Sequence, residues 1–252
     1  GGFNALGGKG ENVGEYPAGG SPASFEFGEE EALALELGGK TTLLDGAATL
    51  NFALFRTEYS DLQVSAFENA SFVVGNAGEA VSQGLEVDGV VRLTESLTLN
   101  GSMAYLDATY SSYANAGCTY AQSLAQPVNC TQDLGGSDLA NAPEFSANLG
   151  LEHVTSLTER FDLVSHLGLT YSGEHYIASD LDERALEKAH TIVNGRLALM
   201  DKDGRFDVAL IGKNLSNEVV RTFVGDPFSL PGAQFAFYGE PRTLAVQLKV
   251  SY

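Results

Sequence analysis

From Leu33 onwards apolar and polar residues alternate along the chain. Leu33, Leu35 and Leu37 fall on one side and Ala34 and Glu36 on the other; a period of two is that of a β-strand with one greasy face. The pattern breaks at Leu44-Asp45-Gly46-Ala47, and Asp-Gly between two apolar alternations predicts a tight hairpin. A second strand sets Leu50, Phe52 and Leu54 against Asn51 and Ala53 and continues through Phe55-Arg56-Thr57-Glu58-Tyr59 towards Val64. A third runs from about Phe72 to Leu93, with Leu85, Val87 and Val91 opposing Glu86, Asp88 and Arg92. After a turn at Thr94-Glu95-Ser96, a fourth carries Leu97, Leu99, Met103 and Tyr105 against Thr98, Asn100 and Ser102.

Beyond Tyr113 the alternation lapses, and it returns with Phe145, Ala147, Leu149 and Leu151. A sixth strand follows a turn near Leu157-Thr158-Glu159-Arg160 and holds Phe161, Leu163, Leu167, Leu169 and Tyr171. The seventh carries Val193, Leu197 and Leu199 and ends at Asp201-Lys202-Asp203-Gly204. The eighth starts at Phe206 and is expected to run into Lys213-Asn214-Leu215-Ser216-Asn217-Glu218. The last has Leu244, Val246, Leu248, Val250 and Tyr252 on one side, so the final residue is an aromatic on an amphipathic strand.

Alternation also fits a soluble sandwich. Three features favour an antiparallel up-and-down transmembrane β-barrel of about nine strands. The segments are long enough to cross a bilayer at a tilt, which takes about 9–11 residues. Their polar faces carry mid-strand charges, Glu36, Glu86, Asp88, Arg92 and Asp207, which a hydrated lumen accommodates. Connections alternate between short turns and longer loops, as in outer-membrane barrels. Counting back from a periplasmic C-terminus places every short turn in the periplasm and the long loops outside. An odd strand number implies either an arc of a larger barrel or a strand mis-split within 64–84.

Residues 1–28, rich in Gly, Pro, Ser and Ala, read as a loop or incomplete leading segment; residues 29–252 read as barrel strands with an outer disulfide loop at about 113–141. Gly1 opens no signal peptide, so either one has been removed or the chain begins mid-protein. Composition narrows the partners. The chain has 252 residues, 33 acidic against 14 basic, for a net charge of −19. That balance argues against nucleic acid. No run of about 18 apolar residues exists, which excludes a transmembrane helix and leaves strands as the way to span a bilayer.

Cys118 and Cys130 lie twelve apart in a polar stretch. They read as a disulfide of an oxidising compartment, the alternative being free or metal-bound thiols, for which no further ligand stands nearby. His153, His166, His175 and His190 are not at ligand spacing, and no metal, cofactor or catalytic residue is assigned. Asp201-Lys202-Asp203-Gly204 lacks the twelfth-position Glu of a calcium loop, where Gly212 stands, and reads as a turn. Gly7-Gly8-Lys9-Gly10 is not a phosphate loop, since no strand precedes it and no Ser or Thr follows the Lys. Asn69-Ala70-Ser71 and Asn129-Cys130-Thr131 fit a glycosylation pattern that has no bearing in a bacterial outer membrane. Tyr110, Tyr113 and Tyr120 are expected in an interfacial aromatic girdle, with ligand contact as the alternative.

Tyr59-Ser60-Asp61-Leu62-Gln63, Gly84-Leu85-Glu86-Val87, Leu97-Thr98-Leu99-Asn100-Gly101-Ser102, Lys213-Asn214-Leu215-Ser216-Asn217-Glu218 and Gly239-Glu240-Pro241-Arg242-Thr243 together, in this order, resemble the barrel of TonB-dependent outer-membrane receptors. The resemblance runs from about residue 30 onwards. It implies the C-terminal part of a 22-stranded barrel that imports ferric siderophores, cobalamin, haem or sugars. It also implies partners: outer-membrane lipid, the transported small molecule, and the TonB complex acting through a plug domain that these residues do not contain. Leu244, Val246, Leu248, Val250 and Tyr252 look like the signal read by the barrel-assembly machinery, although such proteins more often end in Phe. A passive porin or structural barrel is the alternative function, and an outer-membrane enzyme a weaker one, since no nucleophile–base pair is visible.

Overall fold

The structure is a computed structural model describing residues 2–3, 26–68, 71–76, 78–126, 130–227, 230 and 232–251. Its frame is a nine-stranded sheet in which each strand pairs with its neighbours in sequence, all antiparallel. The wall strands are β1 Glu31–Leu43, β2 Ala48–Ser60, β3 Glu79–Arg92, β4 Leu97–Ser112, β5 Phe145–Ser156, β6 Phe161–Ser172, β7 His190–Asp201, β8 Phe206–Lys213 and β9 Thr243–Val250. β9 pairs with β8, and β1 with β2; among the described residues the far edges of both are unpaired, so the sheet is open. Ahead of the wall, Gly2–Phe3 pairs with Glu26–Phe27, while Gly7-Gly8-Lys9-Gly10 lies outside the described residues.

The predicted short turns are all present. Leu44–Gly46 form a tight turn with Asp45 at φ 53° and Gly46 at φ 91°, the left-handed geometry that Asp and Gly tolerate. Leu93–Leu97 and Leu157–Phe161 close by backbone bonds of 2.8 and 3.0 Å, and the Asp201 turn carries Gly204 at φ 71°. The opposite end of the sheet carries the long connections.

Two stretches differ from expectation. The predicted third strand is two elements. Gln63–Glu68 and Ser71–Asn76 form a separate hairpin, and the wall strand proper begins at Glu79. The hairpin makes this connection long like the others and leaves the wall count at nine. The eighth strand stops at Lys213 because Asn214 turns left-handed, at φ 47°, and Leu215 folds back over Gly195 and Gly212.

Register aligns side chains in rows across the sheet. One face carries Leu37, Leu54, Leu85, Tyr105 and Phe145 in one row, with Leu197, Leu210 and Val246 in another. Apart from Leu215, which folds back over Gly195 and Gly212, nothing described packs on this face: Leu37 is 71% and Leu244 75% exposed. A contiguous greasy surface of this extent does not belong in water. It is the face that meets lipid. Aromatic pairs bound it at both ends: Phe145 with Tyr171 at the long-loop end and Phe161 with Phe206 at the short-turn end, each at 5.8 Å. From Phe161 to Tyr171 along β6, a rise of about 3.3 Å per residue and a tilt near 40° give a band about 25 Å tall.

The other face is polar and holds the predicted charges Glu36, Glu86, Asp88, Arg92 and Asp207. One of its rows is hydrogen-bonded across the strands. Asn51 Nδ2 donates to Asp88 at 2.9 Å, Asn148 Nδ2 to Ser102 Oγ at 3.4 Å, and Thr170 Oγ1 to Asn148 at 2.9 Å. Gly84 interrupts this face where the Phe55 ring lies across the strand. A Cβ there would collide with the Tyr105 carbonyl and sit 3.0 Å from that ring.

Candidate functional site

Four long connections assemble at one end of the wall, and the fold's hydrophobic cores lie there. In the first, Ala80, Tyr110, Ala116 and Leu134 are buried, with Tyr59, Leu62, Val64, Tyr113, Leu139 and Leu181 packed around them. This cluster joins the tops of β2, β3 and β4 to the connections after β2, β4 and β6. In the second, Ile177, Ala185 and Val224 pack with Ala178 and Ala236. It joins the β6–β7 connection to the hairpin Arg221–Gly225/Phe235–Tyr238 between β8 and β9. Apolar burial is what these connections share, and it makes one cap of them.

Tyr110 therefore does not stand in a girdle. It is 3% exposed, with the Tyr113 ring 5.1 Å away. The parity of β4 explains this, because Leu99, Met103 and Tyr105 define the apolar face and Tyr110 falls on the other. Tyr120 sits on the short helix Tyr120–Ala125, beneath the Arg184 guanidinium at 5.8 Å. The belt is supplied by Tyr105, Phe145, Tyr171, Phe161 and Phe206.

Cys118 and Cys130 are disulfide-bonded; the neighbouring Asn129, like Asn69, lies outside the described residues. The bridge closes the segment containing the short helix, which Thr119 caps through reciprocal bonds with Gln122. Gln122 donates to Gln132 at 3.0 Å, and Gln132 donates to the carbonyls of Gly117 at 2.6 Å and Asp180 at 2.7 Å. The last bond crosses to the neighbouring connection.

Two arginines clamp the remaining pieces. Arg221 Nε donates to Glu187 at 2.8 Å, and its Nη1 donates to the Arg184 carbonyl at 2.7 Å. The Glu187 side chain is buried, so this pair holds the β8–β9 hairpin on the β6–β7 connection. Arg184 forks onto Asp182 at 2.7 Å, reaches the Gly232 carbonyl at 3.3 Å and stands 3.7 Å from Asp226. The Arg184 guanidinium holds the Asp182 carboxyl below the usual carboxylate range. Burial pushes the Asp180 carboxyl up to about 6, helped by the charges of Asp182 and Asp226. Asp182 and Asp226 thus share one guanidinium, and Asp180 stands beside them without an ion pair of its own.

The histidines are dispersed: His153 beside Thr155, His166 in register with Glu152 and Arg196, and His175 and His190 on the carbonyls of Gly173 and Lys188. Among the described residues no group of three His, Cys, Asp or Glu side chains is placed to hold a metal. The Asp201 turn is a plain hairpin whose carboxylates are taken by Arg160 and Arg205.

The family described as TonB dependent receptor-like, beta-barrel matches residues 2–237. The chain belongs to this family. Among curated proteins, the TonB-dependent barrel described here is 28% identical over 240 residues to the metal-pseudopaline receptor CntO of Pseudomonas aeruginosa, covering 94% of this chain and 30% of that one. Its fold is similar to that of the ferric yersiniabactin uptake receptor FyuA from Yersinia pestis, with a TM-score of 0.69 and 17% identity over 88% of this chain and 30% of that one. It is also similar to that of the siderophore receptor PiuA from Acinetobacter baumannii, with a TM-score of 0.64 and 20% identity over 90% and 29%. The chain thus spans about 30% of the length of these relatives.

Proposed function

We propose that this TonB-dependent barrel forms part of an outer-membrane importer that takes up a scarce metal-chelate nutrient of the siderophore class. The observation that carries this reading is the cap: four connections fused by two apolar clusters and two arginine clamps, above a wall greasy outside and polar inside. The ligand class rests on the kinship to a metal-pseudopaline receptor. In this reading the short turns lie in the periplasm and the cap faces outward. The wall begins at about residue 29, and residues 1–28 lead into it.

Passage proceeds by binding in the cap and gated release into the hydrated lumen, without bond chemistry. Energy comes from the TonB complex through a plug carried by the rest of the protein. Leu244, Val246, Leu248 and Val250 on β9 form the assembly signal, together with Tyr252, which lies outside the described residues.

The test is uptake of a radiolabelled ferric siderophore panel by cells with and without the full-length gene, each with and without a protonophore. Import expects saturable uptake of at least one chelate that the gene confers and the protonophore abolishes. Uptake that is linear in concentration and indifferent to the protonophore would establish a passive pore instead.

A further inference from the structure

The short-turn end carries a charge arrangement that import does not use. In the row that crosses β6, β7 and β8 at this end, Phe161 pairs with Asp201, and Phe206 follows on β8. This row belongs to the lipid-facing layer, so a carboxylate sits between two phenyl rings where the apolar band ends. Its side chain is 0% exposed. Two guanidiniums cover it. Arg160 Nε bonds Asp201 Oδ1 at 3.3 Å, and Arg205 Nε bonds Asp201 Oδ2 at 3.1 Å.

The consequence lies in what is left over. Each arginine spends its inner Nε on the buried carboxylate and keeps its outer amino groups at the surface. Arg205 gives one of them to Asp203 at 2.6 Å, while neither amino group of Arg160 is hydrogen-bonded among the described residues. Arg160 is 51% and Arg205 57% exposed. The Arg160 guanidinium also lies over both rings, 5.1 Å from Phe161 and 5.9 Å from Phe206. Lys202 does not contribute, since it turns to Asp162, Ser156 and the Thr158 carbonyl on the polar side. A guanidinium held close to two aromatic rings, with unpaired planar donors at headgroup depth, fits a tetrahedral oxyanion better than it fits water.

We infer that Arg160 and Arg205, locked by Asp201, form a binding site for the phosphate of a phospholipid in the leaflet at the short-turn end, its acyl chains lying on Phe161 and Phe206. Inorganic phosphate offers the same oxyanion without the chains. The inference rests on the membrane orientation proposed above.

The test uses the full-length receptor refolded into vesicles of phosphatidylglycerol or of monogalactosyl diacylglycerol, which lacks phosphate. Extraction into detergent and native mass spectrometry then count retained lipid. A single Arg160→Gln change would leave Asp201 under-paired, so a triple variant, Arg160→Gln/Asp201→Asn/Arg205→Gln, removes the whole ionic group at once. Wild type is expected to retain at least one phosphatidylglycerol, and the triple variant at least threefold less. Neither protein should retain the galactolipid specifically, and millimolar inorganic phosphate should not displace the phospholipid. Equal retention by wild type and triple variant overturns the inference, as does displacement by inorganic phosphate, which would mark an ion site. Failure of wild type to enter either vesicle, read as no heat-modifiable shift on a gel, would instead refute the membrane reading beneath it.

Discussion

Asp180→Asn should stabilise the cap at neutral pH and leave it unchanged in acid. Asp180 lies among Asp182, Asp226 and Arg184, and burial with the two like charges raises its carboxyl from an ordinary 3.8 to about 6. A carboxyl that is harder to ionise in the folded cap than in the opened one favours the folded cap while it keeps its proton. That stability is fully present below about pH 4 and is lost as pH rises through about 6. The full difference corresponds to about 3 kcal/mol; the partial access of water to this site reduces it to about 2 kcal/mol. Asparagine keeps the acceptor that Asp182 N–H uses at 3.2 Å and carries no charge.

The assay is hydrogen exchange by mass spectrometry on peptides covering 174–187 and 221–226, with intrinsic rates corrected for pH. Wild-type protection should fall by about tenfold or more between pH 4.5 and pH 7.5, as a loss of about 2 kcal/mol implies. Asp180→Asn should hold its protection across that range. Wild-type protection that rises with pH, or a variant that matches wild type at pH 7.5, would refute the assigned environment.

Four further outcomes follow from the wall and the clamps. Val246→Arg, on the lipid-facing row of β9, should cost about 2–4 kcal/mol in a urea titration of the full-length protein in vesicles, whereas Gln247→Arg on the polar face should cost far less; equal costs would refute this assignment of the faces. Arg221→Met leaves the buried Glu187 unpaired and should weaken the cap by about 3 kcal/mol, read as exchange at 183–187, with Glu187→Gln on top recovering part of it. Cys118→Ser with Cys130→Ser should loosen the bridged segment by about 3 kcal/mol in the loop-entropy picture, seen as faster proteolytic nicking between 119 and 126 while the wall still folds. Gly84→Val would drive a side chain into the Tyr105 carbonyl and the Phe55 ring, so the folded, heat-modifiable fraction should drop sharply.

The wall was legible because its solvent is lipid. When one face meets hydrocarbon and the other water, every strand must alternate, and Leu33 to Leu37 or Leu244 to Val250 write that requirement directly into the residue order. The Asp45-Gly46 turn was readable for a local reason, its left-handed backbone. The cap was not readable in the same way, since its clusters join residues as distant as Leu62, Leu134 and Leu181. The alternation divides the hairpin at 63–76 between the second strand, drawn towards Val64, and the third, drawn from Phe72, although Asp61, in the left-handed region at φ 53°, and Gly78 punctuate both of its ends. Residue type and a place at the outer end of a strand point Tyr110 to a belt. Counting its parity from Tyr105 would have turned it inward. The Arg221–Glu187 clamp left no trace in spacing, because 34 residues separate the partners.

The open edges set what the wall needs. In a strand, alternate residues point their N–H and C=O groups to opposite neighbours, so roughly four residues of β9 present unpaired groups on the side away from β8. In hydrocarbon each unsatisfied group costs several kcal/mol, so one edge alone carries a penalty of tens of kcal/mol, well beyond the 5–15 kcal/mol that holds a typical domain together. The outer edge of β1, at thirteen residues, is worse. An isolated nine-stranded sheet with this greasy face would therefore be unstable in the bilayer its side chains demand, and closure by further strands on both edges removes the conflict. The relatives are about three times as long, a length in which that closure is available. The nine strands are an arc, and the cap above them is one sector of a rim.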